Sequence, residues 1–157
     1  MSKLVLRHFE LTRGYFIKQA EAVSEEVAQV QPDGFNNTIL WQIGHVLTLT
    51  EQIMFGFPHK TTNIPARYLE LFGSGTKPAD WKADVPTVGE LIVQLKDQLD
   101  RVKQIPVERF NDSLEKPILG LETFGELAGL ALLEEAQHMG QIKAMVRVIE
   151  QAGAKNR

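Results

Sequence analysis

The chain has 157 residues, 43% hydrophobic and 24% charged, enough for one globular domain (residues 1–157) that buries roughly 70% of its unfolded-chain surface. With 17 basic against 20 acidic side chains and a formal net charge of −3, it lacks the basic stripe that tracks phosphates, so nucleic acid is excluded as a primary partner. The absence of cysteine removes disulfides, thiolate nucleophiles and thiolate metal sites, so any metal must be held by nitrogen and oxygen.

Along the chain the dominant signal is a helical period. The N-terminal residues show no apolar signal core, so a cytoplasmic, soluble protein is expected. Phe9, Phe16, Ala20, Val23, Val27 and Val30 recur at three-, four- and seven-residue spacings, with Leu4, His8, Leu11 and Tyr15 on a neighbouring stripe. This predicts one helix with a wide core face, ended by Pro32-Asp33-Gly34. A second helix is expected from Asn37 or Thr38, either of which can cap it, to about Phe55. It stacks Trp41, His45, Thr48 and Gln52 on one stripe, and Gly56-Phe57-Pro58 stops it. His59 to Pro86 is irregular, with one short helix through Tyr68, Leu69 and Phe72 closed by Gly73-Ser74-Gly75. A connection of this length often borders a functional opening. It has no Walker-type spacing and reads as a crossover.

Thr87-x-x-Glu90 is a capping box that opens a third helix, with Val88, Ile92, Leu95, Leu99 and Val102 on a heptad stripe. That helix stops before Pro106. After a connection containing Pro117 and Gly120, Thr123-x-x-Glu126 opens a last helix to about Ala152. Its longest apolar run, Leu127 to Leu133, is far too short to cross a membrane. No strand-like alternation competes. The expected fold class is all-α: a four-helix bundle with a longer crossover connection containing a short helix.

The last helix carries a conflict. Phe124, Leu127, Ala131, Glu134, His138, Gln141, Met145 and Val148 follow one stripe, which places Glu134 and His138 where the bundle wants hydrophobes. Residues four apart share a helical face, so a carboxylate oxygen and an imidazole nitrogen can converge on one cation. His45, on the Trp41 stripe of the second helix, is the candidate third ligand. Two histidines and a carboxylate with open positions suit Zn²⁺, Ni²⁺, Fe²⁺ or Mn²⁺. The carboxylate partly neutralises the cation and leaves bound water less acidic than three histidines would. Spacing alone leaves a second reading open, a plain Glu134–His138 ion pair.

The stretches Asn37-Thr38-Ile39-Leu40-Trp41-Gln42-Ile43-Gly44-His45 and Glu134-Glu135-Ala136-Gln137-His138-Met139-Gly140-Gln141-Ile142 resemble the two signature helices of the DinB-like superfamily. The resemblance implies a commonly dimeric four-helix bundle. In that family one histidine of the second helix and two of the last bind a divalent metal. Carried over by position, the ligands are His45, Glu134 and His138, with Glu135 matching the family's acidic residue and Gly140-Gln141 its Gly-Gln. The departure is at position 134, where the family has histidine; glutamate has a similar reach but changes charge and metal preference.

The activity this implies is transfer of a small thiol onto an electrophile, or metal-assisted hydrolysis, in a homodimer; no catalytic base is singled out. The alternative is a non-catalytic dimeric helical bundle that binds a small ligand or partner and carries a degenerate metal site. Among the remaining polar residues, His8 is expected at the core edge and His59 in solvent. Gln137 is a poor substitute ligand. Trp41 walls the pocket or is plain core, and Gln141 is a candidate to orient a ligand. Tyr15 and Tyr68 are singled out by no spacing. Glu135, on a stripe with Leu132, Met139 and Ile142, suggests a second covered face, supplied by a partner subunit. No serine elbow, nucleotide loop or calcium loop is present.

Overall fold

The computed structural model describes residues 2–56, 61–82 and 84–155. Four long helices, α1 (Ser2–Glu21), α3 (Ile39–Glu51), α5 (Val88–Lys103) and α6 (Phe124–Lys155), form the bundle. The connections hold α2 (Glu25–Ala28), α4 (Tyr68–Phe72) and a hairpin of β1 (Ser113–Ile118) and β2 (Leu121–Thr123). Among the described residues no helix is long and apolar enough to cross a membrane.

Both α1 and α3 pack on α5 and α6, which places α1 and α3 on one diagonal. Side-chain pairing fixes direction. Gln42 meets His138 while Met54 clusters with Leu127, so α3 and α6 run antiparallel. Leu47 and Glu51 meet Gln98 and Arg101 in the same order, so α3 and α5 run parallel. Adjacent parallel helices oblige the chain to travel back along the bundle between them. That is the physical reason for the long irregular connection, and it carries α4 past the middle of α3. Phe57, Pro58 and His59, read as a helix stop and a solvated histidine, lie outside the described residues.

Caps fall where the sequence puts them. Thr38 accepts from Trp41 N at the start of α3, and Thr87 and Glu90 form the reciprocal box of α5. Glu126 and Thr123 bond each other's backbone amides ahead of α6. α3 ends in a π-helical turn, Gln52–Gly56.

Three expectations change. The first predicted helix breaks at Glu21, because Ser24 accepts from Val27 N and starts α2, while Glu25 reaches across to Val88 N. Val23 and Val27 remain packed on the core, so the apolar period outlives the helix that was inferred from it. The Leu4–Tyr15 stripe is not core: Leu4, Leu11 and Tyr15 are 53%, 51% and 60% exposed, since α1 packs mainly on α5 and α6 and this stripe faces away from both. The third change is the hairpin at 113–123, whose first strand does not alternate in burial and whose turn, Leu119-Gly120, has both φ positive (53° and 81°). That geometry is the mirror-image turn usually signalled by Asn-Gly.

The core consists of two apolar clusters. One contains Phe16, Ile39, Phe72, Leu91 and Met145, the other Phe9, Met54, Val102, Phe124 and Leu127. Between them, at one level of the bundle, every long helix contributes buried polar residues: Arg13 from α1, Thr48, Thr50 and Glu51 from α3, Gln98 from α5, and Glu135 and His138 from α6.

Candidate metal centre

His45 and His138 face each other across α3 and α6, with ring centroids 4.8 Å apart. The Nδ1–H of His45 donates to the Phe72 carbonyl at 2.6 Å, and that of His138 donates to Gln42 Oε1. An oxygen acceptor on each Nδ1 fixes the tautomer, leaving both Nε2 lone pairs bare. Glu134 Oε2 lies 3.6 Å from His138 Nε2, and one donor atom from each of His45, Glu134 and His138 lies within 4.8 Å of the others. Two donors each 2.0–2.2 Å from a tetrahedral cation stand about 3.4 Å apart. The donor set fits a divalent cation with little movement.

The support around His45 is built by the crossover. Trp41 stacks on the imidazole with centroids 4.6 Å apart and planes 11° from parallel. Its Nε1–H donates to Thr76 Oγ1 at 2.9 Å, and that hydroxyl in turn donates toward the Leu71 and Gly73 carbonyls. Gly44 lets α4 approach: a Cβ there would sit 2.5 Å from the Phe72 ring. Without that glycine, the Phe72 carbonyl could not reach His45.

Burial, and then the neighbouring His45, push the His138 imidazole down from 6.5 to about 4. It is therefore neutral at pH 7 and unable to form the plain ion pair with Glu134, because its one proton is already given to Gln42. The two imidazoles are almost wholly buried, whereas the Glu134 side chain is 32% exposed, so the site meets solvent on the carboxylate side.

Other candidates fall elsewhere. His8, Tyr15 and Gln137 are exposed, and Gln141 is half-buried. Tyr68 is buried in the apolar cluster, where desolvation raises its hydroxyl pKa. Glu135 is not covered by a partner: it is fully buried against Arg13 of its own chain, with two bonds of 2.9 Å. Sequence reasoning missed Gln42 and the Phe72 carbonyl. Gln42 was detectable as a polar residue one turn from His45; a backbone carbonyl leaves no sequence signal. Of the larger cavities among the described residues, one of about 640 Å³ lies at the hairpin, lined by Arg109, Ser113, Lys116 and Phe124, and none of the three site residues lines it. A smaller one, of about 210 Å³, is lined by Gln52, two places beyond His45 on its stripe, with Thr61, Ile64 and Leu69.

Two imidazoles and a carboxylate presented from facing helices of a four-helix bundle define a class, the helical bundles with a nitrogen–oxygen donor site in the core. Residues 8–142 match the family profile described as the DinB superfamily, and the chain belongs to that superfamily. The structure is similar to the crystal structure of a conserved protein from Enterococcus faecalis, with TM-score 0.65 and 17% identity over 96% of this chain and 98% of that one. At this identity the likeness speaks for the fold. No curated protein matches the sequence.

Proposed function

We propose that His45 Nε2, His138 Nε2 and the Glu134 carboxylate hold one divalent cation, and that the site activates a small thiol or water toward an electrophile. The observation that carries this reading is the pair of Nδ1 protons, each tied to an oxygen, which leaves two bare Nε2 atoms beside a carboxylate. The donor set suits zinc, nickel, iron or manganese. A cation held there lowers the pKa of a bound thiol or water. The chain's own residues do the rest. Gln42 and the Phe72 carbonyl orient the imidazoles, Trp41 shields His45, and the exposed edge of Glu134 leaves an approach from solvent.

Metal analysis of the purified protein tests the reading. About one divalent ion per chain is expected, with His138→Ala nearly metal-free. A wild-type chain that stays metal-free after incubation with Zn²⁺, Ni²⁺, Mn²⁺ and Fe²⁺ overturns it.

A second reading, a non-catalytic homodimeric bundle, is favoured by the outer face of α6. Leu133 is 62% exposed there, with Gly129 and Gly140 opening onto free space on either side. Under that reading, Glu134→Ala leaves association intact in sedimentation while Leu133→Glu abolishes it.

A further inference from the structure

Thr48 is fully buried, and its hydroxyl has no hydrogen-bond partner among the described residues. A buried helical threonine ordinarily turns its hydroxyl to the carbonyl four residues back. Here the Thr48 hydroxyl makes no such bond. The neighbouring polar groups of the layer are all engaged: Thr50 accepts from Arg13, Glu51 binds Arg101 and Gln98, and Gln42 holds His138.

The position of Thr48 explains why an unpaired hydroxyl is retained. It follows His45 by one turn on the Trp41–His45–Thr48–Gln52 stripe, and residues three apart on a helix have Cβ atoms about 5–6 Å apart. Because α3 and α6 are antiparallel, with Gln42 at the level of His138 and Met54 in one apolar cluster with Leu127, Thr48 falls within one helical turn of Glu134. It therefore lies buried beside the donor triad, one turn along α3 from His45.

Charge indicates what the hydroxyl awaits. A divalent cation held by two neutral imidazoles and one carboxylate keeps a net charge of about +1, and a buried excess charge is costly until neutralised. One monoanion restores neutrality, and a hydroxyl O–H donates well to an anion. Building on the metal reading above, we propose that Thr48 is the hydrogen-bond donor to a monoanionic small-molecule thiolate taken up beside His45 and Glu134.

The test uses the full chain loaded with Co²⁺, titrated with 2-mercaptoethanol and followed by the sulfur-to-cobalt charge-transfer absorption. Wild type, Thr48→Ser and the isosteric Thr48→Val are compared. All three are expected to hold cobalt with similar affinity. The valine variant is expected to bind the thiol about 10- to 100-fold more weakly, as for loss of a hydrogen bond to a charged group, and serine to retain it. In the metal-free state Thr48→Val melts no lower than wild type, because an unsatisfied hydroxyl has been removed.

Equal thiol affinity in the valine variant overturns the proposal. So does a loss of cobalt as large as the loss of thiol, which makes Thr48 a support for the ligands. Cobalt uptake without any thiol signal in wild type sinks this inference alone, whereas failure of wild type to take up cobalt sinks the metal reading and this inference with it.

Discussion

Two polar clusters share the middle layer of this bundle, and they differ in how their atoms are satisfied. On one side, Glu135, Arg13, Gln98, Glu51 and Arg101 form an unbroken chain through α6, α1, α5 and α3. Arg13 gives two bonds of 2.9 Å to Glu135 and one of 2.8 Å to Gln98, and Gln98 and Arg101 both donate to Glu51. The positive and negative charges balance, and the donors find acceptors inside the protein. On the other side, His45, Glu134 and His138 turn two bare nitrogens and a carboxylate into one space, and Thr48, one turn along α3 from His45, keeps a buried hydroxyl without a partner among the described residues. A buried polar group without a partner costs free energy. The closed chain is therefore complete as a fastening between four helices, whereas the open cluster leaves donor atoms that could hold a metal ion.

The sharpest way to break the comparison is to open the closed chain. Arg13→Met removes the guanidinium and strands a fully buried Glu135 carboxylate, which is expected to cost about 3–5 kcal/mol. For a chain of this size that lowers the melting temperature by roughly 10 °C or more. Glu134→Ala in the metal-free protein is expected to stay within about 0.5 kcal/mol, because its carboxylate is partly solvated and has no charged partner. Thermal melts of the two variants decide the matter, and equal losses would erase the distinction between closed and open clusters.

Next in size is the support of the open cluster. Gln42→Leu takes the acceptor from His138 Nδ1 and frees the ring to change tautomer. Metal affinity is expected to fall about 10–100-fold, as for other outer partners of ligating histidines, with little change in melting temperature. Competition with a chelator of known affinity measures it. The same titration on Glu134→His, which restores the family's residue, is expected to show tighter metal binding than wild type.

The two clusters were unequally legible in the sequence. Glu134 and His138 stood out because each interrupts an apolar stripe at i, i+4, and resemblance supplied the reason to pair them with His45. Arg13 breaks the Phe9–Phe16–Ala20 stripe in the same way, and Glu135 breaks Ala128–Ala131–Ile142; the same test applied to α1 would have found the ion pair. The helices and caps were readable because periodicity and capping are local. The hairpin was not, since its turn uses leucine in the left-handed region, its longer strand does not alternate and its second strand is only three residues long. Nor was the route of the crossover, because parallel packing of α3 and α5 is a property of the assembled bundle and leaves no mark on either helix alone.

The smallest expected effect concerns acid, and it tests whether the closed chain behaves as a charged structure. Burial raises the Glu51 carboxyl, but bonds from Arg101, Gln98, Asn63 and Thr61 outweigh it and hold the pKa below 4.5. Below its unfolded value, the pKa of Glu51 makes the unfolded chain the state that binds more protons, so stability rises with pH across that window. The contribution of Glu51 is complete above about pH 4.5 and is lost as pH falls through the lowered folded pKa. Glu90 and Glu126 are lowered in the same direction by their capping bonds, so the wild-type acid limb contains all three. Glu51→Gln isolates one of them: its amide cannot titrate, and the urea midpoint should fall less steeply with acid than in wild type. Arg101→Met should act in the same direction: without the guanidinium the lowering of Glu51 weakens against burial, the unfolded chain loses its excess of bound protons at this site, and stability falls less steeply with acid than in wild type. If all three proteins share one acid profile, the Glu51–Arg101 end of the chain carries no titrating load, and only the Arg13–Glu135 pair remains as a charged fastening.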